Sequence, residues 1–137
     1  MTALTKDKDT KQQLGEVQEF PVLAATTIYA GALGCLNAAG WAVPGAAATT
    51  LVAAGRADAQ ADNSAGANGD INVKLRAGTF RFENSAAADE ITQAEIGDNC
   101  YIVDDQTVAK TDGTASRSVA GKVIQVDSQG VWVRLGL

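Results

Sequence analysis

Two adjacent carboxylates, Asp104 and Asp105, directly follow the apolar residues 101–103 and are the side chains whose type and spacing most suggest chemistry. Such a pair could act as general acid and base, or could bind a cation. The paired carboxyl groups of a glycosidase face each other across a cleft, whereas neighbouring residues of a strand point to opposite sides. We therefore expect Asp104 and Asp105 to end a strand and begin a turn, solvated and without chemistry of their own.

The chain contains no histidine, and its two cysteines, Cys35 and Cys100, are far apart in sequence. Catalysis by Ser-His-Asp or Cys-His groups and metal sites built on imidazole are therefore excluded. Two cysteines cannot supply the four ligands of a structural zinc site, and no phosphate-binding glycine motif is present. The sequence predicts a protein that is not an enzyme and has no metal or cofactor.

The acidic segment "DAQADNSAGANGD" superficially resembles a calcium-binding loop. An EF-hand loop needs glycine at its sixth position and glutamate at its twelfth. Counted from Asp58, these positions hold Asn63 and Gly69, and the register that starts at Asp62 fails as well. We therefore expect Asp62 and Asp70 to be turn residues rather than calcium ligands.

The composition narrows the function classes further. A net charge of −5 and a pI near 4.5 argue against a nucleic-acid binder, which needs a basic surface to neutralise phosphates. No apolar run approaches the roughly 20 residues of a membrane span, and the polar N-terminus lacks the apolar core of a signal peptide. We expect synthesis in a cytoplasm, with Cys35 and Cys100 as buried thiols rather than a disulfide.

Short apolar alternations separated by turn residues predict an all-β fold, a small antiparallel barrel or sandwich with an extended N-terminal arm. Residues 1–19 carry alternating charges and little to bury, and are predicted to form this flexible or extended arm. Residues 20–137 are predicted to form a single β domain. Aromatic residues make up only 5% of the chain, so its core should be built largely from small side chains.

Two hairpins and a helical turn are predicted within this domain. The alternating runs "INVKL" and "TFRFE" flank Arg-Ala-Gly, which is typical of a tight hairpin. The runs "KVIQV" and "VWVRL" flank Asp-Ser-Gln-Gly, which predicts a second hairpin with Val131, Val133 and Leu135 facing inward. Residues 85–97 allow a short helical turn, and residues 46–54 favour extended structure over a helix.

Three segments occur in an order and spacing that resembles the head-decoration, or structural cement, proteins of tailed bacteriophages: "EFPVLAATTIYAGALGCLNAAGWAVPG", "DNSAGANGDINVKLRAGTFRFEN" and "IGDNCYIVDDQTVAKTDGTASRSVAGKVIQVDSQGVWVRL". The resemblance covers about residues 18–135. It implies a non-enzymatic, β-barrel-like virion protein on the outer surface of the capsid, made in the bacterial host's cytoplasm. Such proteins commonly form homotrimers at three-fold or quasi-three-fold positions and clamp neighbouring capsomers of the major capsid protein.

Partner contacts are predicted from residue chemistry, because the resemblance offers no residue-by-residue match for them. The arm could add a strand to an exposed sheet edge of the shell, and its lysines could meet acidic patches there. Aromatic residues of the domain could anchor an interface. The predicted partner-binding residues are Lys6, Lys8, Lys11, Phe20, Trp41 and Trp132. The alternative interpretation of the arm is a solubilising terminus without a contact role.

Other functions fit the same pattern. A binding or adhesion module of another phage structure, such as the tail or baseplate, would also be a small β domain, although few aromatic side chains are available here to grip sugars. A β domain with a small-molecule pocket is a further alternative.

Overall fold

The computed structural model describes residues 2–13 and 15–137, which form twelve strands and two short 3₁₀-helices. The strands are β1 (Val17–Pro21), β2 (Thr26–Ile28), β3 (Leu33–Leu36), β4 (Ala42–Pro44), β5 (Val52–Ala57), β6 (Ala61–Asn63), β7 (Asn72–Arg76), β8 (Gly78–Asn84), β9 (Asn99–Ile102), β10 (Thr107–Ala109), β11 (Val119–Asp127) and β12 (Gly130–Leu135). The 3₁₀-helices are Ala87–Asp89 and Gln93–Glu95. The predicted all-β class is confirmed.

The N-terminal half of the chain forms a five-stranded antiparallel sheet in the order β1-β7-β5-β3-β4, with the two-stranded ladder β2-β6 beside it. Just beyond β1, Val22 forms a parallel bridge with Ala42 of β4. The N–H of Leu23 also donates to the carbonyl oxygen of Ala42 at 3.1 Å. The two ends of the sheet therefore meet, and the sheet curls around its own core.

The C-terminal half forms a closed five-stranded barrel in the order β10-β8-β12-β11-β9. All of its strand pairs are antiparallel except β10 with β8. Closure gives every strand of the barrel a neighbour on both sides, so the barrel has no free edge.

The two halves share a wall of strands, β3 and β5, whose two faces belong to different cores. Leu33 and Cys35 of β3 pack with the barrel side chains, whereas Leu36 packs with the core of the curled sheet. In β5, Ala53 belongs to the barrel core and Ala54 to the sheet core. Because most of both faces of this wall is covered, its strands carry small and apolar residues at every position except Arg56, rather than an apolar–polar alternation.

Close packing at this wall explains the many small residues of the sequence. A Cβ atom added at Gly34 would lie 2.5 Å from Cδ2 of Leu75, and one added at Gly55 would lie 2.7 Å from the carbonyl oxygen of Arg76. Both distances are shorter than a van der Waals contact, so the strands can approach this closely only at glycine. The core is built from small side chains, as the low aromatic content predicts.

The second predicted hairpin is confirmed. Strands β11 and β12 pair from Lys122 with Arg134 to Asp127 with Gly130, with a bulge between Val123 and Gln125. Asp127 Oδ1 accepts a hydrogen bond from the N–H of Gln129 at 2.8 Å, which closes the turn. The inward-facing residues of the prediction, Val131, Val133 and Leu135, are all buried.

The first predicted hairpin is wrong. Strand β7 pairs with β1 and β5 of the sheet, whereas β8 pairs with β12 and β10 of the barrel. The Arg-Ala-Gly tripeptide is therefore the crossing from one half of the molecule to the other. At this crossing the N–H of Ala77 donates to the carbonyl oxygen of Glu16 at 2.7 Å. On the apolar sides of the two runs, Val73, Leu75 and Phe82 are buried and Ile71 and Phe80 are half-buried. Alternation thus indicates the inward side of each strand, but it carries no information about which strand is the neighbour.

The predictions for residues 85–97 and 46–54 are confirmed, and the predicted end of the N-terminal arm is shifted. Residues 85–97 contain the two 3₁₀-helices, and residues 46–54 contain no helix and lead into β5. The predicted arm of residues 1–19 extends too far, because residues 17–19 form the first part of β1. The start of β1 is determined by its pairing with β7, which local composition does not predict.

Candidate interaction surfaces

The adjacent residues Asp104 and Asp105 lie in the turn that follows strand β9. Strand β9 ends at Ile102, and Asp104 Oδ1 accepts a hydrogen bond from the N–H of Gln106 at 2.9 Å. The carbonyl oxygen of Asp105 accepts a hydrogen bond from the N–H of Leu33 at 2.8 Å. The prediction that this pair ends a strand and begins a turn is confirmed, and the backbone contact fastens the turn to β3.

The acidic residues of the rejected calcium loop, Asp62 and Asp70, accept hydrogen bonds within their turns, as predicted. Asp62 Oδ1 accepts a hydrogen bond from the N–H of Ser64 at 3.0 Å, and Asp70 Oδ2 accepts one from the N–H of Ala67 at 2.9 Å. Among residues 2–13 and 15–137, no group of three or more Cys, Asp or Glu side chains is placed to hold a metal ion.

Both cysteines are free, fully buried thiols in the barrel core, as predicted. Burial raises the pKa of the Cys35 thiol to about 12 and that of the Cys100 thiol to about 12. Because the thiolate is the reactive form of cysteine, these side chains act as small apolar residues in the folded protein.

A chain of four charged residues connects the arm to the body. Arg76 donates to Glu16 Oε1 through Nη1 at 2.8 Å and to Asp58 Oδ2 through Nη2 at 3.1 Å. Arg56 donates to Asp58 Oδ1 at 2.9 Å, and its guanidinium lies 4.6 Å from the ring centre of Phe80. These hydrogen bonds, first from Arg76 and then from Arg56, hold the pKa of Asp58 below its ordinary value. Through these bonds Glu16, the last residue before β1, is connected to β7 and, by way of Asp58, to β5.

We expect the protein to lose stability under acidic conditions. The pKa is lowered for five carboxyl groups: Asp58, Asp62, Asp89, Glu95 and Asp127. A group whose pKa is lower in the folded state stabilises the protein above its unfolded pKa, near 4, and this stabilisation is lost as the pH falls through the folded pKa. With no histidine in the chain, the free energy of unfolding should be nearly constant from about pH 5 to pH 8 and should fall below about pH 4.

Urea unfolding at several pH values from 7 to 2 measures this profile. The substitution Asp58→Asn should lower the plateau and reduce the loss between pH 4 and pH 2. Asp9→Asn is the matched control, because Asp9 pairs only with Lys11 in the arm and both side chains are about nine-tenths exposed, at 92% and 90%. If Asp58→Asn leaves the loss of unfolding free energy between pH 4 and pH 2 unchanged, the lowered pKa of Asp58 does not contribute to that loss, and the prediction is wrong.

The predicted partner-binding lysines Lys6, Lys8 and Lys11 all lie in the exposed arm. Every described residue from 2 to 13 is exposed, and the ion pair of Lys11 with Asp9 at 3.1 Å stays within the arm. All three ammonium groups are solvent-exposed, and only that of Lys11 forms an ion pair within the described part of the arm.

Trp132 lies on the outside of the barrel, as alternation predicts. Its indole N–H donates to Asp127 Oδ2 at 3.0 Å, and the guanidinium of Arg81 lies 5.7 Å from the ring centre. Arg81 is held in turn by Gln129 Oε1 at 3.0 Å. The ring is half-buried and held in one orientation, which suits an interface anchor.

The other two predicted aromatic anchors, Phe20 and Trp41, are half-buried like Trp132. Phe20 of β1 is half-buried against the core of the curled sheet. Trp41 is half-buried, and its ring lies beside Gly69 and Pro21. Sequence alone could not separate these rings from Trp132, because β1 and the turn before β4 show no clean alternation.

The structure also reveals an exposed apolar groove that the sequence does not indicate. Val52 of β5 and Val119 of β11 stand at its edges, 48% and 44% exposed. Strand β11 changes register at Gly121, so the alternation of the later valines does not extend back to Val119. No sequence signal therefore predicts on which side of the strand Val119 lies.

Neither a protein-family model, nor a curated protein, nor a solved structure matches this chain. Within the described part of the chain, no helix is long and apolar enough to cross a membrane.

Proposed function

We propose that this chain is a non-enzymatic virion protein that decorates the outside of a phage capsid and cements neighbouring capsomers. The observation that carries the proposal is the exposed arm, which runs directly into β1, a strand with a full strand neighbour on one side only. An arm rooted in a rigid body can bind one capsomer while the body rests on the next. The order of the sequence segments that resemble head-decoration proteins supports the same role.

The root of the arm is fixed by two interactions. The carbonyl oxygen of Glu16 accepts a hydrogen bond from Ala77, and its carboxylate accepts one from Arg76 at 2.8 Å. The arm therefore leaves the body from a defined point. From there its main chain can add to an exposed sheet edge of the major capsid protein, taking affinity from backbone hydrogen bonds.

A protein that binds the assembled shell, but not separated capsomers, stabilises the shell. A protein that binds across the seam between capsomers stabilises the closed shell relative to separated capsomers by mass action. Several contacts of modest strength become effective when one body carries them together, and a homotrimer at a three-fold position multiplies them further. The closed barrel leaves no free strand edge that would join crowded copies to each other.

Co-sedimentation with capsid shells tests the proposal. The full-length protein should pellet with shells of the phage that encodes it, saturate at a multiple of three copies per capsomer junction, and make the shells harder to disrupt. A variant without residues 1–15 should lose most of this binding and keep its melting temperature, because β1 and Glu16 remain.

A second variant separates charge from main-chain contacts in the arm. Replacing Lys6, Lys8 and Lys11 with glutamine should weaken shell binding mainly at low salt, since exposed charges are screened at high salt. Full-length protein that stays in the supernatant with intact shells would refute the decoration role and leave the adhesion module as the function to test, for example on a glycan array.

A further inference from the structure

The groove beside Val52 and Val119 lies between the two halves of the molecule. Thr49 and residues 51–53 line one side and residues 117–121 the other, and Arg134, Gly136 and Leu137 complete the lining of a space of about 500 Å³. The groove is held in shape by Ser118, which is buried and whose hydroxyl donates to Ala48 and accepts a hydrogen bond from the N–H of Leu51 at 3.1 Å.

Exposed apolar side chains are concentrated in this groove. Among the described residues six large apolar side chains are exposed, and three of them line it: Val52, Val119 and Leu137. Scattered single exposed apolar residues are normal on a protein surface, but a contiguous group marks an interaction site. The half-buried Leu51 adds to the same surface.

Unpaired cations border the apolar surface. A second depression of about 440 Å³ shares Gly121 and Arg134 with the groove and is also lined by Lys122. Lys122 and Arg134 stand directly opposite each other on β11 and β12. Like charges in this position destabilise a sheet, and neither side chain forms an ion pair or hydrogen bond with another residue in the described ranges. In a chain with a net charge of −5, this pair is a local basic site without its own acidic partner.

The groove is also bordered by the exposed start of a strand. Strand β5 pairs with β7 through Arg56 and Ala57 alone, so Val52, at the exposed start of β5, has no strand neighbour on that side. An extended segment can hydrogen-bond to such an edge while its alternate side chains reach the pocket beside it.

We propose that this groove binds an extended segment of the capsid shell protein that carries apolar side chains next to carboxylates. The apolar side chains fill the space between Val52 and Val119, and the carboxylates pair with Lys122 and Arg134. The inference rests on the proposed function for the source of the segment and adds a second contact site to the arm. A symmetric contact between two copies of this surface is disfavoured, because it would bring both Lys122–Arg134 pairs together.

Binding of short peptides to the full-length protein tests the chemistry of the groove. The probe is an acetylated peptide amide of alternating leucine and glutamate, and the control peptide has lysine in place of glutamate. In NMR titrations the glutamate peptide should shift the amide signals of residues 51–53 and 118–121, and the lysine peptide should not.

Three variants decide which side chains act. The double substitution V52S/V119S should weaken binding of the glutamate peptide more than tenfold. K122Q/R134Q should weaken it at low salt and remove most of its salt dependence. Tyr29→Ser is the matched control, because Tyr29 is also exposed, at 61%, but lies outside the groove. Equal binding of both peptides, or an equal loss in Tyr29→Ser, would overturn the inference.

Shell co-sedimentation of the same variants separates the two proposals. Shell binding by the wild type that is unchanged in V52S/V119S overturns the groove inference and leaves the decoration role standing. If the wild-type protein does not sediment with shells, the decoration role is refuted. The peptide titration still decides whether the groove selects acidic segments. Sedimentation velocity gives an independent test. If the wild type is an oligomer that dissociates in V52S/V119S, the groove is an interface between copies, which contradicts the proposal.

Discussion

Replacing Gly34 with alanine should lower the free energy of unfolding by about 1–3 kcal/mol, which corresponds to a melting temperature lower by roughly 3–10 °C. The added Cβ would lie 2.5 Å from Cδ2 and 3.0 Å from Cδ1 of Leu75. Leu75 is only 1% exposed and sits in the sheet core, so its side chain cannot move away without disturbing its neighbours. Urea unfolding measures the change.

A double-mutant cycle shows whether this contact is the cause. Leu75→Val alone should cost about 1 kcal/mol by removing buried volume. In Gly34→Ala combined with Leu75→Val, the smaller valine makes room for the new methyl group, so the total loss should be less than the sum by more than about 0.5 kcal/mol. Gly15→Ala is the matched control, since nothing lies within 4 Å of the position of its Cβ. Strictly additive losses would contradict the close approach of β3 to Leu75.

The second large effect is expected at Asn63, which is 2% exposed at the end of β6. Its side-chain amide donates to three carbonyl oxygens, those of Val22 at 3.3 Å, Leu23 at 3.0 Å and Ala67 at 2.9 Å. Asn63→Ala removes all three hydrogen bonds. The carbonyl oxygens of Val22 and Ala67 keep the backbone N–H groups of Gly69 and Asp70 as donors, whereas that of Leu23 loses its side-chain donor next to the sheet core. The free energy of unfolding should fall by about 1–3 kcal/mol, since an unsatisfied buried polar group costs about that much.

Thermal unfolding with hydrogen exchange checks the prediction at Asn63. Exchange should speed up in residues 22–25 and 64–70, which the side chain holds together, and should change least in the barrel. Asn72→Ala, on the exposed side of β7, is the control and should change stability by no more than about 0.5 kcal/mol. Equal losses in both variants would mean that Asn63 contributes through strand propensity rather than through its hydrogen bonds.

The sequence predicts the faces of the strands better than their neighbours. Alternation placed Val73, Leu75, Val131 and Val133 correctly inside, because burial of one face follows from the two-residue period of a strand. It could not reveal that β7 and β8 belong to different sheets. Strand pairing depends on residues far apart in the sequence. The segment Arg-Ala-Gly that begins at Arg76 is a suitable connection both for a hairpin and for a crossing between the two halves, so its composition does not distinguish them.

The candidate sites divide in the same way. The exposed arm with its lysines and the outward position of Trp132 follow from composition and alternation. The apolar groove does not, because its two sides lie far apart in the chain and Val119 precedes a change of register in β11. The half-buried positions of Phe20 and Trp41 depend on neighbours that only the folded chain supplies.

The wall shared by the two cores has a consequence for synthesis of the protein on the ribosome. Residues 17–76 leave the ribosome first and contain every strand of the curled sheet. One face of their β3, with Leu33 and Cys35, is covered mainly by side chains from residues 80–135. The nascent sheet therefore carries an uncovered apolar face until the barrel strands have been made, and during that interval it is a natural substrate for chaperones.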